Sequence, residues 1–283
     1  MMRVDQNRAF WECVKIPAGL DLVEVLPASL PKSRRFETKA DVVKRSIERE
    51  QRLRKTRNDH VAEFLADCRS GQYPCRQPIC PICGCLFRRW LAANILALYK
   101  NLRNPVTITL FCETVPEGKL HTADIAKIHD RVRQRFRRAG LGNIVAVGGT
   151  EAAYRAEHKD WLIHLHLLVG DVDKLALKRL RAAWAKTGIP AAMRVSPIVD
   201  QPRQIGYLQK FGTFHRPGEQ SSGRRAWAYP LPQPQFEELA AWFDNREFGE
   251  FVFMLGTRRR GHRIRRLGMD AHEARRKGAS RHG

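Results

Sequence analysis

Acidic residues are in short supply in this 283-residue chain: 29 Asp and Glu stand against 51 Lys and Arg, a formal net charge of +22. That imbalance makes the surface an attractor of polyanions. It puts nucleic acid first among partners and an acidic membrane surface second. Long apolar runs are lacking too. None is read as reaching membrane-spanning length and no secretory signal pattern opens the chain, so no membrane partner and a cytoplasmic setting are expected. A nucleotide-binding loop of the Gly-x-x-x-x-Gly-Lys-Ser/Thr form does not occur. Gly218 to Gly223 has the glycine spacing but continues Arg224-Arg225, so helicase action would have to come from another protein. No internal repeat was found.

Cysteine is present and unevenly spread. Of the cysteines at 13, 68, 75, 80, 83, 85 and 112, most fall in the stretch from Cys68 to Cys85. In a cytosolic setting such clusters hold zinc more often than they form disulfides, with free or redox-active thiols as the alternative. Cys80-Pro-Ile-Cys83 brings two sulfurs to one ion. Cys75 with either Cys68 or Cys85 would complete a tetrahedral Zn²⁺ site. Cys68 is preferred, because a second sulfur so soon after Cys83 crowds the turn. Cys13 and Cys112 read as buried apolar fillers.

The hydrophobic fraction of 43% is that of a globular protein with a sizeable core. Residues up to about 40 are irregular, broken by Pro17, Pro27 and Pro31. Asp41 to Asp67 is heavily charged, with sparse apolar positions (Val43, Ile47, Val61, Phe64), and reads as one solvated helix. After the cysteines, Phe87, Leu91, Ile95, Leu98 and Leu102 recur at helical spacing until Pro105. Val106 to Phe111 alternates and is β-branched, a strand. Ile125, Ile128, Val132 and Phe136 mark a helix ended by Gly140. Strands follow over 143–153 and 162–169, joined by a charged turn at 155–160. Then come a helix with Leu177, Leu180 and Trp184 ending at Gly188, a strand over 193–199 and a helix from about Pro202 to Phe211. A Gly/Ser/Arg/Pro-rich connection runs to Pro234, before a helix at 236–243 and an apolar strand within 248–255. This order predicts an α+β fold, a central antiparallel sheet with helices packed on one face.

Within Trp161-Leu-Ile-His164-Leu-His166-Leu-Leu-Val169, alternation sends both imidazoles to one side of a strand, roughly 6.5–7 Å apart at Cα. Two imidazoles so placed suit a divalent transition metal, or Mg²⁺ or Mn²⁺ completed by a carboxylate and waters. Two polar residues on an open sheet face are the alternative. Glu151 would lie beside the histidines if the strands pair through the 155–160 turn. Further on, Tyr207 and Lys210 share a helical face. A phenol, with its pKa of about 10, is a poor nucleophile unless a neighbour such as Lys210 favours its anion. By itself the pair is uninformative.

In order, Val106-Thr-Ile-Thr-Leu110, His164-Leu-His166 and Tyr207-Leu-Gln-Lys210 resemble the three motifs of HUH endonucleases. Within that superfamily the chain looks most like the rolling-circle plasmid replication initiators, which also tend to carry a Cys-Pro-x-Cys element ahead of the first motif. The resemblance covers roughly residues 68 to 212. It implies a sheet with the histidines on its open face and the tyrosine helix across them. It also implies a metal on His164, His166 and Glu151, and Tyr207 as the nucleophile that nicks one DNA strand at an origin, single-stranded or cruciform. A 5′-phosphotyrosyl link and a 3′-hydroxyl primer would result, to be used with a host helicase and polymerase. Many members have a second tyrosine four residues on; here that position is Phe211, so a single-tyrosine enzyme is implied. The first motif supplies no evident catalytic group.

The division expected is an irregular and helical extension (1–67), a cysteine cluster and helix (68–104), the HUH-like core (105–212), an accessory segment (213–256) and a basic tail (257–283). Arg131, Arg133, Arg135, Arg137 and Arg138 on one helix, and Arg258, Arg259 and Arg260 in the tail, are candidate phosphate contacts. The competing readings are a single-tyrosine transposase or relaxase with the same chemistry, and a zinc-containing DNA-binding protein with none.

Overall fold

The computed structural model describes residues 39–71, 74–185, 192–199, 201–206, 208–209, 214–215, 229–244, 246–261 and 263–267. The irregular N-terminal segment with Cys13, most of the Gly/Ser/Arg/Pro-rich connection and the last basic residues lie outside these.

Ahead of the sheet is a helical module. Helices α1 (Lys39–Lys55) and α2 (Asp59–Ser70) stand where one solvated helix was expected. The chain breaks between them at Thr56–Asn58, with Arg57 in left-handed backbone at φ 57°, a conformation that costs a non-glycine residue about 1 kcal/mol or more. Burial offsets it. Val42, Ser46, Arg49 and Leu53 line one side of α1, facing Val61, Leu65 and Cys68 of α2, a stripe at helical spacing. Ile47 and Phe64 are instead the exposed apolar residues, at 40% and 45%.

Helix α3 (Pro81–Tyr99) opens on proline, where no intrahelical N–H is required. By length and composition alone it is long and apolar enough to cross a bilayer, with Arg88 and Arg89 within it. Much of it is buried inside the protein: Leu86, Phe87, Leu91, Ile95 and Leu98 all belong to the core, and Phe87 stacks on Phe248 with ring centroids 4.8 Å apart.

Five strands form an antiparallel sheet in the order β4-β1-β3-β2-β7: β1 (Val106–Pro116), β2 (Val145–Arg155), β3 (Asp160–Gly170), β4 (Met193–Pro197) and β7 (Val252–Leu255). The class is α+β. Strand β3 is central and closed on both sides, with Ile163, Leu165, Leu167 and Leu168 all fully buried, as its near-continuous apolar run requires.

Helices α4 (Ile125–Arg138), α5 (Lys174–Ala185) and α7 (Gln233–Phe243) cover one face. Asp124 caps α4 by accepting from the Lys127 amide, and Gly140 ends it at φ 78°. Phe136 packs against Trp184 of α5 and Phe253 of β7. His129 of α4 meets Thr150 at 2.6 Å. Burial lowers its pKa to about 4, so it is a neutral core histidine. The opposite face carries the histidines of β3. Leu102 packs onto it, where a Cβ on Gly170 would lie 2.7 Å from that side chain, and the segment after α6 (Gln201–Gly206) crosses β2.

Two-residue strands β5 (Phe214–His215) and β6 (Tyr229–Pro230) pair separately. The expected tail begins as a hairpin of β8 (Thr257–Arg260) and β9 (Arg263–Arg266), turning at Gly261 with φ 57°. Ile264 is its buried apolar residue, and the Ile264 amide donates to Asn94 of α3 at 2.7 Å.

Candidate metal and nucleotide site

Strand register alone assembles the site. On one rung across the sheet Glu151 (β2), His164 (β3) and Phe111 (β1) are partners. On the next rung are Gly149, His166, Thr109 and Arg194 of β4. Cross-strand partners share a face, so all these side chains point away from α4, α5 and α7.

His164 Nε2 and His166 Nε2 lie 3.7 and 3.8 Å from Glu151 Oε2, and the three ligand atoms fall within 4.8 Å of one another. These edges are longer than hydrogen bonds. They suit a first-row or Mg²⁺-sized ion at about 2.0–2.2 Å from each atom after a small contraction. The other ring nitrogens are engaged. His164 Nδ1 donates to the Leu162 carbonyl at 3.2 Å, which leaves the Nε2 lone pair directed at Glu151. His166 Nδ1 meets Thr109 Oγ1 at 2.9 Å. Fixing ring orientation through the distal nitrogen is how metal-binding imidazoles are held. Thr109 lies in the VTITL strand to which the sequence assigned no chemical part. Nothing local marks it; only the register does. The donor set of two imidazoles and a carboxylate fits a divalent cation with coordination positions left over.

Tyr207, Lys210 and Phe211 lie outside the described residues; Gly206, which ends α6, and Leu208 and Gln209, which follow it outside any helix, do not. Arg88 of α3 reaches the Gly206 carbonyl at 3.4 Å. The Gly149 amide donates to the Leu208 carbonyl at 3.0 Å, and Gln209 is buried against the Thr150 carbonyl. This crossing requires glycine at 149: a Cβ there would sit 1.5 Å from Gln209 Oε1 and 2.8 Å from the Leu208 carbonyl oxygen. Residues 206, 208 and 209 are therefore anchored beside the rungs that hold the triad.

The second cluster is Cys68, Cys75, Cys80 and Cys83. Cys68 comes from the end of α2, Cys75 from the following loop, and Cys80 and Cys83 from the start of α3. The Sγ separations are 3.6 Å (68–83), 3.7 Å (75–83) and 3.8 Å (80–68). A disulfide needs about 2.05 Å. The edge of a tetrahedron with Zn–S of about 2.3 Å is close to 3.8 Å. The fit to zinc is direct. Hydrogen bonds from the Cys75, Cys80 and Cys83 thiols hold Cys68 far below the ordinary thiol range, the behaviour of sulfurs that share one negative charge. Cys85, the alternative fourth ligand, is buried apart from the cluster. Cys112 is the extra residue of a bulge in β1, half-buried, with its thiol pushed up to about 12 by burial.

The basic residues named from sequence lie on two elements. Helix α4 is on the far face. There Arg131 pairs with Glu113, Arg133 pairs with Asp130 at 2.7 Å, and Arg135 lies 4.8 Å over the Trp184 ring, while Arg137 and Arg138 are exposed. Arg258 and Arg260 are exposed on β8, and Arg259 covers Trp90 of α3 at 5.0 Å. Comparison of the chain with family models, curated proteins and solved structures returned no match.

Proposed function

We propose that this protein is a metal-dependent DNA strand-transferring endonuclease of the HUH type, which cuts one strand through a covalent tyrosyl link. Within that class it is a single-tyrosine initiator of rolling-circle plasmid replication. The observation that carries the reading is the convergence of His164 Nε2 and His166 Nε2 on Glu151 Oε2 at 3.7 and 3.8 Å, with both distal nitrogens engaged.

A Mg²⁺ or Mn²⁺ ion held by His164, His166 and Glu151 would neutralise charge on a non-bridging oxygen of the scissile phosphate. The phenol of Tyr207 gives its proton to water, its anion favoured by the Lys210 ammonium. Its oxygen forms a bond to phosphorus as the bond from phosphorus to the 3′ oxygen breaks. That oxygen takes a proton and leaves as a 3′-hydroxyl, while the 5′ side stays on the protein as a phosphotyrosine ester. The ester keeps the phosphodiester energy, so rejoining needs no nucleotide triphosphate. The anchoring of Leu208 to Gly149, on the rung beside Glu151, supports a nucleophile delivered to this face. The proposed zinc on the four cysteines ties α2 to α3, and Arg88 of α3 contacts the Gly206 carbonyl next to the nucleophile.

The test is incubation with labelled single-stranded origin DNA and Mn²⁺ or Mg²⁺, followed by denaturing electrophoresis. A covalent adduct is expected from the wild type and none from Tyr207→Phe. An adduct that persists in the variant removes Tyr207 from the role. No adduct across many origin sequences favours a zinc-containing DNA-binding protein without chemistry. Replication of a circle carrying the cognate gene separates an initiator from a transposase or relaxase.

A further inference from the structure

Half of the histidine face is covered and half is not. Over β2, the chain at Leu208 and Gln209 lies on Gly149. Over β1 and β4, the residues on the same face are Thr107, Thr109 and Phe111, each half-buried, and Arg194 and Ser196, both exposed. Among the described residues no helix lies across them. This half is a polar floor interrupted by one large apolar ring.

That ring is beside the triad. The Phe111 centroid is 5.9 Å from the His164 ring, and Phe111 shares a rung with His164 and Glu151. The Arg194 guanidinium carbon lies 5.4 Å over the Phe111 ring. Phe111 is half-buried and keeps part of its ring accessible on this face. Two side chains of the type that bind single strands, an aromatic plane and a cation beside it, are here fixed on two adjacent strands.

Resting on the reading of the triad as the site that holds the scissile phosphate, we infer that Phe111 and Arg194 form a platform for the neighbouring nucleotide. The Arg194 guanidinium moves from over the Phe111 ring to the strand's phosphate, and the unpaired base takes its place on the ring. The single strand enters over β4 and β1 and meets the triad at β3. The Thr107 hydroxyl donates to the Ser196 carbonyl and the Thr109 hydroxyl meets His166 Nδ1, so stacking rather than base-edge readout carries the contact and the platform tolerates any base. Duplex DNA is disfavoured, since a paired base has no open face for the ring. Phe111 is thus a positioning residue for the proposed reaction.

The experiment uses full-length protein and mixed-sequence single-stranded oligonucleotides in which 2-aminopurine is stepped through successive positions. Binding is followed by anisotropy and stacking by quenching of 2-aminopurine. Wild type is expected to quench the probe at one position. Phe111→Ala should abolish that quench and weaken binding about tenfold, while Phe111→Trp should retain both. Arg194→Ala should weaken binding a few-fold and lower the salt slope by about one. Mn²⁺ affinity, read separately by calorimetry, should not change in Phe111→Ala, and an unchanged melting temperature shows the variant is folded. If Phe111→Ala binds and quenches as wild type does, the platform is refuted, whatever happens to nicking. If quenching and its loss are seen but no adduct ever forms, the platform stands and the tyrosyl chemistry falls.

Discussion

Four cysteine sulfurs close on one another at 3.6–3.8 Å, while two imidazoles and one carboxylate meet at 3.7–3.8 Å on the face of a sheet. The first cluster is contributed by the end of one helix, a loop and the start of another. It uses soft ligands only, and Cys68, Cys80 and Cys83 are buried. The second is contributed by two adjacent strands, mixes nitrogen with oxygen, and borders Thr109 and Phe111. Four protein ligands leave an ion nothing to do but hold the chain together. Three ligands leave positions for water or a phosphate. One protein thus carries a site suited to a structural ion and a site suited to a reacting one, and the difference lies in ligand number and ligand type.

The comparison breaks most visibly if both sites behave alike on mutation. Cys83→Ser is expected to lose the zinc and to uncouple α2 from α3, lowering the melting temperature by roughly 10 °C or more. His166→Ala should leave melting within about 2 °C and cut adduct formation by about a thousandfold. Metal analysis, thermal melting and the nicking assay on the two variants decide it. Equal losses of stability would erase the distinction between the sites.

A finer contrast separates the histidines themselves. His129 sits on the helix-covered face with its pKa depressed by burial to about 4, so its neutral form is favoured in the fold. Its contribution is fully present above the unfolded value near 6.5 and is lost as pH falls toward 4, about 2 kcal/mol between pH 7 and pH 5. Denaturant melts at the two pH values should show that loss in wild type and a smaller one in His129→Gln. Equal losses would mean that His129 is not the buried neutral residue described. The smallest expected effect is that of Thr109→Val. Releasing the His166 ring should raise the Mn²⁺ concentration needed for half-maximal nicking by about tenfold, with the maximal rate nearly kept. A loss of rate at saturating Mn²⁺ would instead give Thr109 a part beyond holding the ring.

Much of the site was legible because β periodicity is short-range. The spacing of His164 and His166 fixes their common face, and a tight turn over 155–160 brings Glu151 opposite His164. The cysteine spacing was equally local, and the crowding argument that preferred Cys68 over Cys85 agrees with the cluster that forms. What stayed hidden depends on distant partners. Thr109 and Phe111 acquire their neighbours only when β1 pairs with β3, some fifty residues away. His129 differs from a surface histidine only through Thr150 and Phe253. The break at Arg57 leaves no glycine or proline to betray it. The β8–β9 hairpin was masked by composition, because arginines outnumber the apolar residues whose alternation would reveal a strand, and Ile264 alone marks the inner side.

The most direct measurement is a titration of the zinc-loaded protein with Mn²⁺, followed by electron paramagnetic resonance. The account predicts one Mn²⁺ site that disappears in His164→Ala and in His166→Ala, is weakened in Glu151→Gln, and is untouched by Phe111→Ala. Undiminished Mn²⁺ binding in both histidine variants would contradict it.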